Sequence, residues 1–307
     1  LQSPHIPVLL NEVISSFKSI EKGTILDCTL GYGGHSKALL DANPNLKIIA
    51  CDRDDTAINF CKEKFKDYGD RISIYKSNFA NIINLIDLSD IRGILADIGV
   101  SSLQIDLDER GFGLNSSTLD MRMDKNQSFD AKELVNTYSQ SELERIFVQF
   151  GELPNATTVA KKIIEARKIS PITSAKELTN IIGKSNLKNR SVSIAILAFQ
   201  AIRIEVNKEL DELTNLLTSI KNSNINNAIL TVISFHSLED KIVKSQFKEW
   251  EKSCICPSFA IRCECGNNHC IGKIITKKPL QATDEEIKQN SRSSCAKLRS
   301  FKIERQR

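Results

Sequence analysis

Apolar residues in the first hundred positions gather in short runs separated by stretches of helical period. Runs at 24–30, 46–52, 71–75 and 92–98 carry β-branched side chains and end in polar turns, the signature of buried strands. Between them, 36–42, 56–68 and 81–88 repeat apolar positions with a helical period. This alternation predicts a parallel sheet with helices on both faces. Beyond position 102 the pattern changes. A loop-rich stretch at 106–127 precedes helical periods at 131–138, 141–150, 157–167 and 175–182, then a long run from 191 to about 220. Ser139, and Ser141 followed by Glu144, read as helix-capping signals. Strand character returns at 228–235, a helical period at 238–250, and strand-like pieces at 273–276 and 296–303 flank a helix at 284–290. The chain therefore reads as one α/β domain, residues 1–102 and 223–307, interrupted by an all-helical insertion over 103–222.

With 307 residues, 41% of them hydrophobic, the chain can bury a sizeable core. No apolar stretch suits a membrane span, since even the run at 194–204 contains Gln200 and Arg203. Residues 1–10 show neither a basic segment nor a cleavable apolar one, which points to the cytoplasm. Charge is unevenly placed. Residues 241–307 hold 15 Lys and Arg against 7 Asp and Glu, whereas the remainder is net acidic. A basic tail on a near-neutral body fits phosphate contact, and equally a solvated surface.

The first strand runs into Asp27, Gly31, Gly33, Gly34 and His35. A glycine-rich turn after a strand lets backbone approach a ligand at the carboxyl edge of a sheet. The second strand ends at Asp52, where a carboxylate can accept from both ribose hydroxyls of a nucleoside. Turn plus acid also describes NAD binding, so an NAD-dependent oxidoreductase stays open at this point. The other strand ends favour a sulfonium cofactor. Phe79 follows the third strand and Asp97 ends the fourth, and an aromatic face or a carboxylate suits a sulfonium.

Eight ordered segments extend the pattern: 5–12 (HIPVLLNE), 27–36 (DCTLGYGGHS), 97–104 (DIGVSSLQ), 110–113 (RGFG), 119–124 (LDMRMD), 199–210 (FQAIRIEVNKEL), 234–240 (SFHSLED) and 294–299 (SCAKLR). Together they resemble the bacterial ribosomal RNA small subunit methyltransferase H family, also called MraW, over nearly the whole chain. The resemblance implies a class I (Rossmann-like) methyltransferase sheet with an inserted helical, substrate-recognition domain. It implies methyl transfer from S-adenosylmethionine to the exocyclic N4 of a cytidine in the decoding centre of 16S rRNA, in small ribosomal subunit particles. By position, it assigns the cofactor to Gly33, Gly34, His35, Asp52, Phe79, Asp97 and Gln104. A homodimer stays open, and so does a non-enzymatic ribosome-assembly factor.

A cytosine amino group is a weak nucleophile, so the site must align it and accept its protons. Asp97 is the first candidate for that role. His236, after the fifth strand, is suited to contact the base or take a proton, or else to bond Glu239 or Asp240 as a structural histidine. His5 is a weaker candidate, in a segment suited to covering the sheet. Arg110, Arg122 and Arg203 suit phosphates or local acids such as Asp120 and Glu205, with local pairing favoured for Arg203.

Of nine cysteines, Cys28, Cys51, Cys61 and Cys295 are dispersed and read as small buried residues, while five fall within 254–270. Cys254, Cys256, Cys263 and Cys265 carry enough thiolates for a tetrahedral zinc site, but their Cys-x-Cys spacing leans toward metal-free thiols. The transfer chemistry itself needs no metal.

Overall fold

The computed structural model describes residues 6–186, 192–257 and 259–305. His5 and residue 191 lie outside the described residues. In chain order come α1 (Leu10–Phe17), β1 (Gly23–Asp27), α2 (Gly34–Ala42), β2 (Leu46–Asp52), α3 (Asp55–Lys64), β3 (Ile72–Lys76) and β4 (Ile91–Asp97). Six helices follow: α4 (Ser102–Asp106), α5 (Ala131–Thr137), α6 (Gln140–Gln149), α7 (Ala156–Ile169), α8 (Ala175–Ile182) and α9 (Ile194–Asn207). Then come α10 (Glu209–Asn222), β5 (Ala228–Ser234), α11 (Ser237–Trp250), β6 (Gly272–Ile274), α12 (Asp284–Gln289) and β7 (Lys297–Ile303). They form two compact units, Leu1–Gly99 with Asp211–Arg307, and Val100–Leu210.

The first unit is a seven-stranded sheet in the order β3-β2-β1-β4-β5-β7-β6. Strands β1 to β5 run parallel, and β7 pairs antiparallel with β5 and β6. Alternate residues of each strand enter opposite cores. Leu26, Ile94, Ala96 and Val232 face Leu213, Leu217, Phe247 and Trp250 of α10 and α11. Ile25, Leu95 and Ile233 join Val13, Phe17, Leu39 and Phe65 on the other side. Burial on both faces is why these strands read as continuous apolar runs rather than alternating ones.

The second unit, all helical, encloses its own core, including Leu134, Ile146, Phe147, Val159, Leu178 and Ile202. Ser139 caps α6 in a reciprocal capping box with Glu142, whereas Ser141 lies inside the helix and caps nothing. Arg122 pairs with Asp120 at 2.7 Å, and Arg203 clasps Glu209 through two bonds of 2.9 and 3.0 Å. Glu205, the other local acid offered, accepts from Tyr138 and Arg145, each at 2.8 Å. Arg110 is buried and donates to the carbonyls of Arg122 and Met123.

Several boundaries differ from those expected. The long run from 191 to 220 breaks at Lys208, whose φ of 53° is left-handed. The second half, α10, contributes Leu213, Leu216, Leu217 and Ile220 to the sheet's core. The unit boundary therefore falls after Leu210 rather than at 222, and at the other end after Gly99 rather than 102. Periodicity within one helix does not reveal which core its apolar face joins. The helix expected at 81–88 is a single 3-10 turn, Ile82–Asn84. Asn78 accepts from the Asn81 N–H, and Asp87 accepts from the Ser89 N–H and hydroxyl. Such local side-chain bonds compete with helix propagation. Helix α1 was not anticipated; it buries Val13 and Phe17 four residues apart. Cys28, Cys51 and Cys61 are buried as expected, but Cys295 is exposed.

No helix among the described residues is long and apolar enough to cross a membrane.

Candidate active site

Parallel pairing sets the carboxyl ends of β1, β2, β4 and β5 along one edge, so their terminal residues, Asp27, Asp52, Asp97 and Ser234, share it. The strand order reverses between β1 and β4, the switch point where open α/β sheets bind ligands.

The turn after β1 is braced from α3. Lys64 Nζ donates to the carbonyls of Tyr32 and Gly33 at 2.7 and 3.2 Å, and Cys61 Sγ to that of Gly31 at 3.2 Å. Gly33 caps α2 with a φ of 69°, a region that favours glycine. Its absent Cβ would lie 2.5 Å from the buried Phe65 ring, and that of Gly34 would lie 2.4 Å from Pro7. The turn is thus glycine-rich because side chains pack against it, in addition to any ligand it admits.

Asp52 organises the next strand end. Its Oδ2 accepts from the Gly31 N–H at 2.8 Å and its Oδ1 from the Asp54 N–H at 2.9 Å. Burial pushes its carboxyl above the ordinary aspartate range, against the pull of those two N–H groups. Each oxygen keeps a lone pair beyond these bonds, as a ribose acceptor needs.

Asp97 is held by its backbone: its N–H donates to Thr29 Oγ1 at 2.7 Å. His35 is buried in the first turn of α2 with Nε2 3.5 Å from Asp97 Oδ2, too far for a good hydrogen bond. Asp97 Oδ1 and both His35 ring nitrogens are buried without a hydrogen-bond partner among the described residues. Buried polar atoms without partners are uncommon and costly. Three of them at the switch point are what a polar ligand seated at this edge would satisfy.

His236 caps α11 two residues past β5, the strand beside β4. Its Nδ1 faces the Glu239 N–H at 3.5 Å, and its Nε2 lies 3.1 Å from Glu239 Oε1. Glu239, fully buried, accepts from the Phe235 N–H at 2.8 Å and the His236 N–H at 3.3 Å. The histidine therefore holds the turn at this edge through Glu239. Asp240 turns away, bound to Arg299 at 2.6 Å.

Phe79, half-buried, packs against the core that includes Ile82 and Leu216. Gln104 belongs to the helical unit, where its side-chain oxygen accepts from the Ser101 N–H at 3.0 Å. Three further residues at this edge are given no role by the sequence pattern. Asp27 is buried and accepts from Ser36 Oγ at 2.6 Å, burial pushing its carboxyl up. Thr29 anchors Asp97. Glu212 of α10 accepts from Asn78 at 3.3 Å, beside Phe79, and burial raises its carboxyl too. Asp27 had a visible signal, a lone acid ending an apolar strand; Glu212 had none, because its helix read as part of the insertion.

Five parallel strands closed by β7 running antiparallel between β5 and β6, with acids at the carboxyl ends of β2 and β4, define a class I methyltransferase, the S-adenosylmethionine-dependent fold. The comparisons narrow this. The model of the MraW methylase family matches residues 2–304. The "Ribosomal RNA small subunit methyltransferase H" of Campylobacter fetus subsp. fetus is 72% identical over 305 residues, 99% of each chain. That of Campylobacter concisus is 61% identical over 306 residues, again 99% of each. That of Campylobacter jejuni subsp. jejuni serotype O:6 is 54% identical over 302 residues, 98% of this chain and 97% of the other. The chain belongs to the MraW methylase family.

Proposed function

We propose that this enzyme methylates the exocyclic N4 of a cytidine in the decoding centre of 16S rRNA, within small-subunit particles in the bacterial cytoplasm. The observation that carries the chemistry is Asp97 Oδ1, a buried carboxylate oxygen at the switch point of the sheet without a hydrogen-bond partner among the described residues. Bound S-adenosylmethionine supplies an electrophilic methyl on a sulfonium. Asp52 would accept from the ribose hydroxyls, and the turn of Gly33, Gly34 and His35, with Phe79, would hold the rest of the cofactor. Gln104 is assigned to the cofactor by the family resemblance. Asp97 accepts a hydrogen bond from the cytosine amino group, turning its lone pair toward the methyl carbon. As the C–N bond forms and the C–S bond breaks, the amino nitrogen must lose a proton. Asp97, or His236 backed by Glu239, receives it.

His236→Asn separates the two roles of the histidine. Asparagine is a strong N-cap residue, so the turn is retained while the ring is removed. Transfer should slow several-fold at an unchanged melting temperature. A normal rate in the folded variant would confine His236 to holding the turn.

The helical unit and the basic tail are assigned to the RNA. Lys and Arg on phosphates supply position and affinity, not sequence reading, so the folded particle matters more than local sequence. Particles lacking the modification should accept labelled methyl far better than a short oligonucleotide of the same sequence. Raising salt should weaken particle binding more than cofactor binding. Mass spectrometry of the digested RNA decides the position. Methyl on carbon 5 or on ribose would overturn the N4 assignment, and equal rates on the oligonucleotide would overturn the dependence on the particle.

A further inference from the structure

The chain between α11 and β6 makes an excursion with no core of its own. None of the described residues from 251 to 270 is buried, and Ile255, Phe259 and Ile261 are exposed. A segment this poor in apolar burial does not offset the entropy of ordering it and normally needs a crosslink or a metal. At its base the Ile271 N–H donates to the Trp250 carbonyl at 2.9 Å and the His269 N–H to the Ser253 carbonyl at 3.0 Å. At its centre four sulfurs meet. The Sγ atoms of Cys254, Cys256, Cys263 and Cys265 all lie within 4.8 Å of one another. Cys254 to Cys263 is 3.5 Å, Cys263 to Cys265 is 3.5 Å and Cys265 to Cys254 is 3.7 Å.

These separations discriminate between bonding modes. A disulfide needs sulfurs at about 2.05 Å. Around a tetrahedral zinc with bonds of about 2.3 Å, the sulfurs stand about 3.8 Å apart. The observed edges fall close to the second value. The backbone adds the outer shell that a thiolate cluster uses: the Ile255 N–H points at Cys265 Sγ at 3.4 Å and the Glu264 N–H at Cys256 Sγ at 3.3 Å. Gly266 and Asn267, directly after the second pair, have φ of 82° and 54°, a left-handed turn immediately after the sulfurs. Spacing alone leaned toward free thiols because Cys-x-Cys is not the commoner zinc pattern. The fold brings the two short pairs face to face, so that each supplies two corners of one tetrahedron.

We propose that Cys254, Cys256, Cys263 and Cys265 bind one structural zinc ion as four thiolates, and that the ion orders the loop between α11 and β6. Binding releases four protons, one from each thiol, and involves no change of oxidation state. A closed shell of four protein ligands leaves no open position, so the ion holds structure and takes no part in methyl transfer. Cys270 stands outside the set, its Sγ donating to the Gly272 carbonyl at 3.0 Å.

The full chain, purified reduced and without chelators, should contain about one zinc per molecule by elemental analysis. Zinc-edge X-ray absorption should report four sulfur neighbours at about 2.3 Å. Cys263→Ser should bring the zinc content close to zero, while Cys270→Ser and Cys295→Ser should keep it. Chelation of the wild type should make the chain susceptible to trypsin at Arg262, and added zinc should restore resistance. Reduced, folded protein that takes up no zinc would overturn the proposal. So would oxygen or nitrogen ligands at the zinc edge, iron in place of zinc, disulfides among the four cysteines, or metal retained in full by Cys263→Ser. Because the ion takes no part in transfer, none of these outcomes bears on the methylation assignment.

Discussion

Asp97→Ala should slow methyl transfer by about 10²–10³-fold, the loss typical when one preorganised electrostatic partner is removed from a reacting centre. Two observations set this expectation. Asp97 ends β4 at the switch point, anchored through its N–H on Thr29, and its Oδ1 is buried without a partner. A carboxylate oxygen already withdrawn from solvent at a backbone-anchored strand end costs little reorganisation when the amino group arrives. Single-turnover rates at saturating cofactor, set beside calorimetric affinities, distinguish its roles. A rate loss with near-normal affinity identifies Asp97 as the group that positions the amino nitrogen. Equal losses would assign it to cofactor binding alone, and full activity would remove it from the mechanism.

Asp52→Ala should weaken S-adenosylmethionine binding tenfold to a hundredfold or more, since hydrogen bonds to a charged group contribute about 1.5–3 kcal/mol. The same carboxylate also accepts from the Gly31 and Asp54 N–H groups, so the alanine variant loosens the turn as well. Asp52→Asn, with one acceptor oxygen retained, should lose less. Cofactor affinity should also depend on pH with a definite sign. Burial raises the Asp52 carboxyl above its ordinary value, so on acidification it takes up a proton earlier than an exposed aspartate. Affinity should therefore be present above that raised value and fall as pH drops through it, and the fall should be absent in Asp52→Asn. Unchanged affinity in a folded Asp52→Ala would reject the ribose assignment.

Much of the architecture is legible in the sequence. The strands at 46–52 and 228–234 coincide with the apolar runs to within a residue, because buried parallel strands admit little else. Asp52 and Asp97 stand out as candidates because an acid closing an apolar run is conspicuous. His236 was only half legible. Histidine is not among the preferred N-cap residues, so its bond to Glu239 across the first turn of α11 had no strong local signal. Gly33 and Gly34 suggest room for a ligand in the sequence; only the fold shows that Phe65 and Pro7 also require the missing Cβ.

The amino-acid sequence by itself determined the alternation of strands and helices, the placement of chemistry at strand ends, and the family. Each is encoded locally, in a period of apolar residues or in a segment read along the chain. Tertiary structure decided what depends on residues far apart in sequence. It paired β7 between β5 and β6, gave α10 to the sheet rather than to the insertion, and left Asp97 Oδ1 and the His35 ring without hydrogen-bond partners among the described residues. It also drew Cys254 and Cys256 together with Cys263 and Cys265. The physical reason is common to all four. Burial, unsatisfied polarity and ligand geometry are properties of a packed environment, and no single stretch of chain contains its own environment.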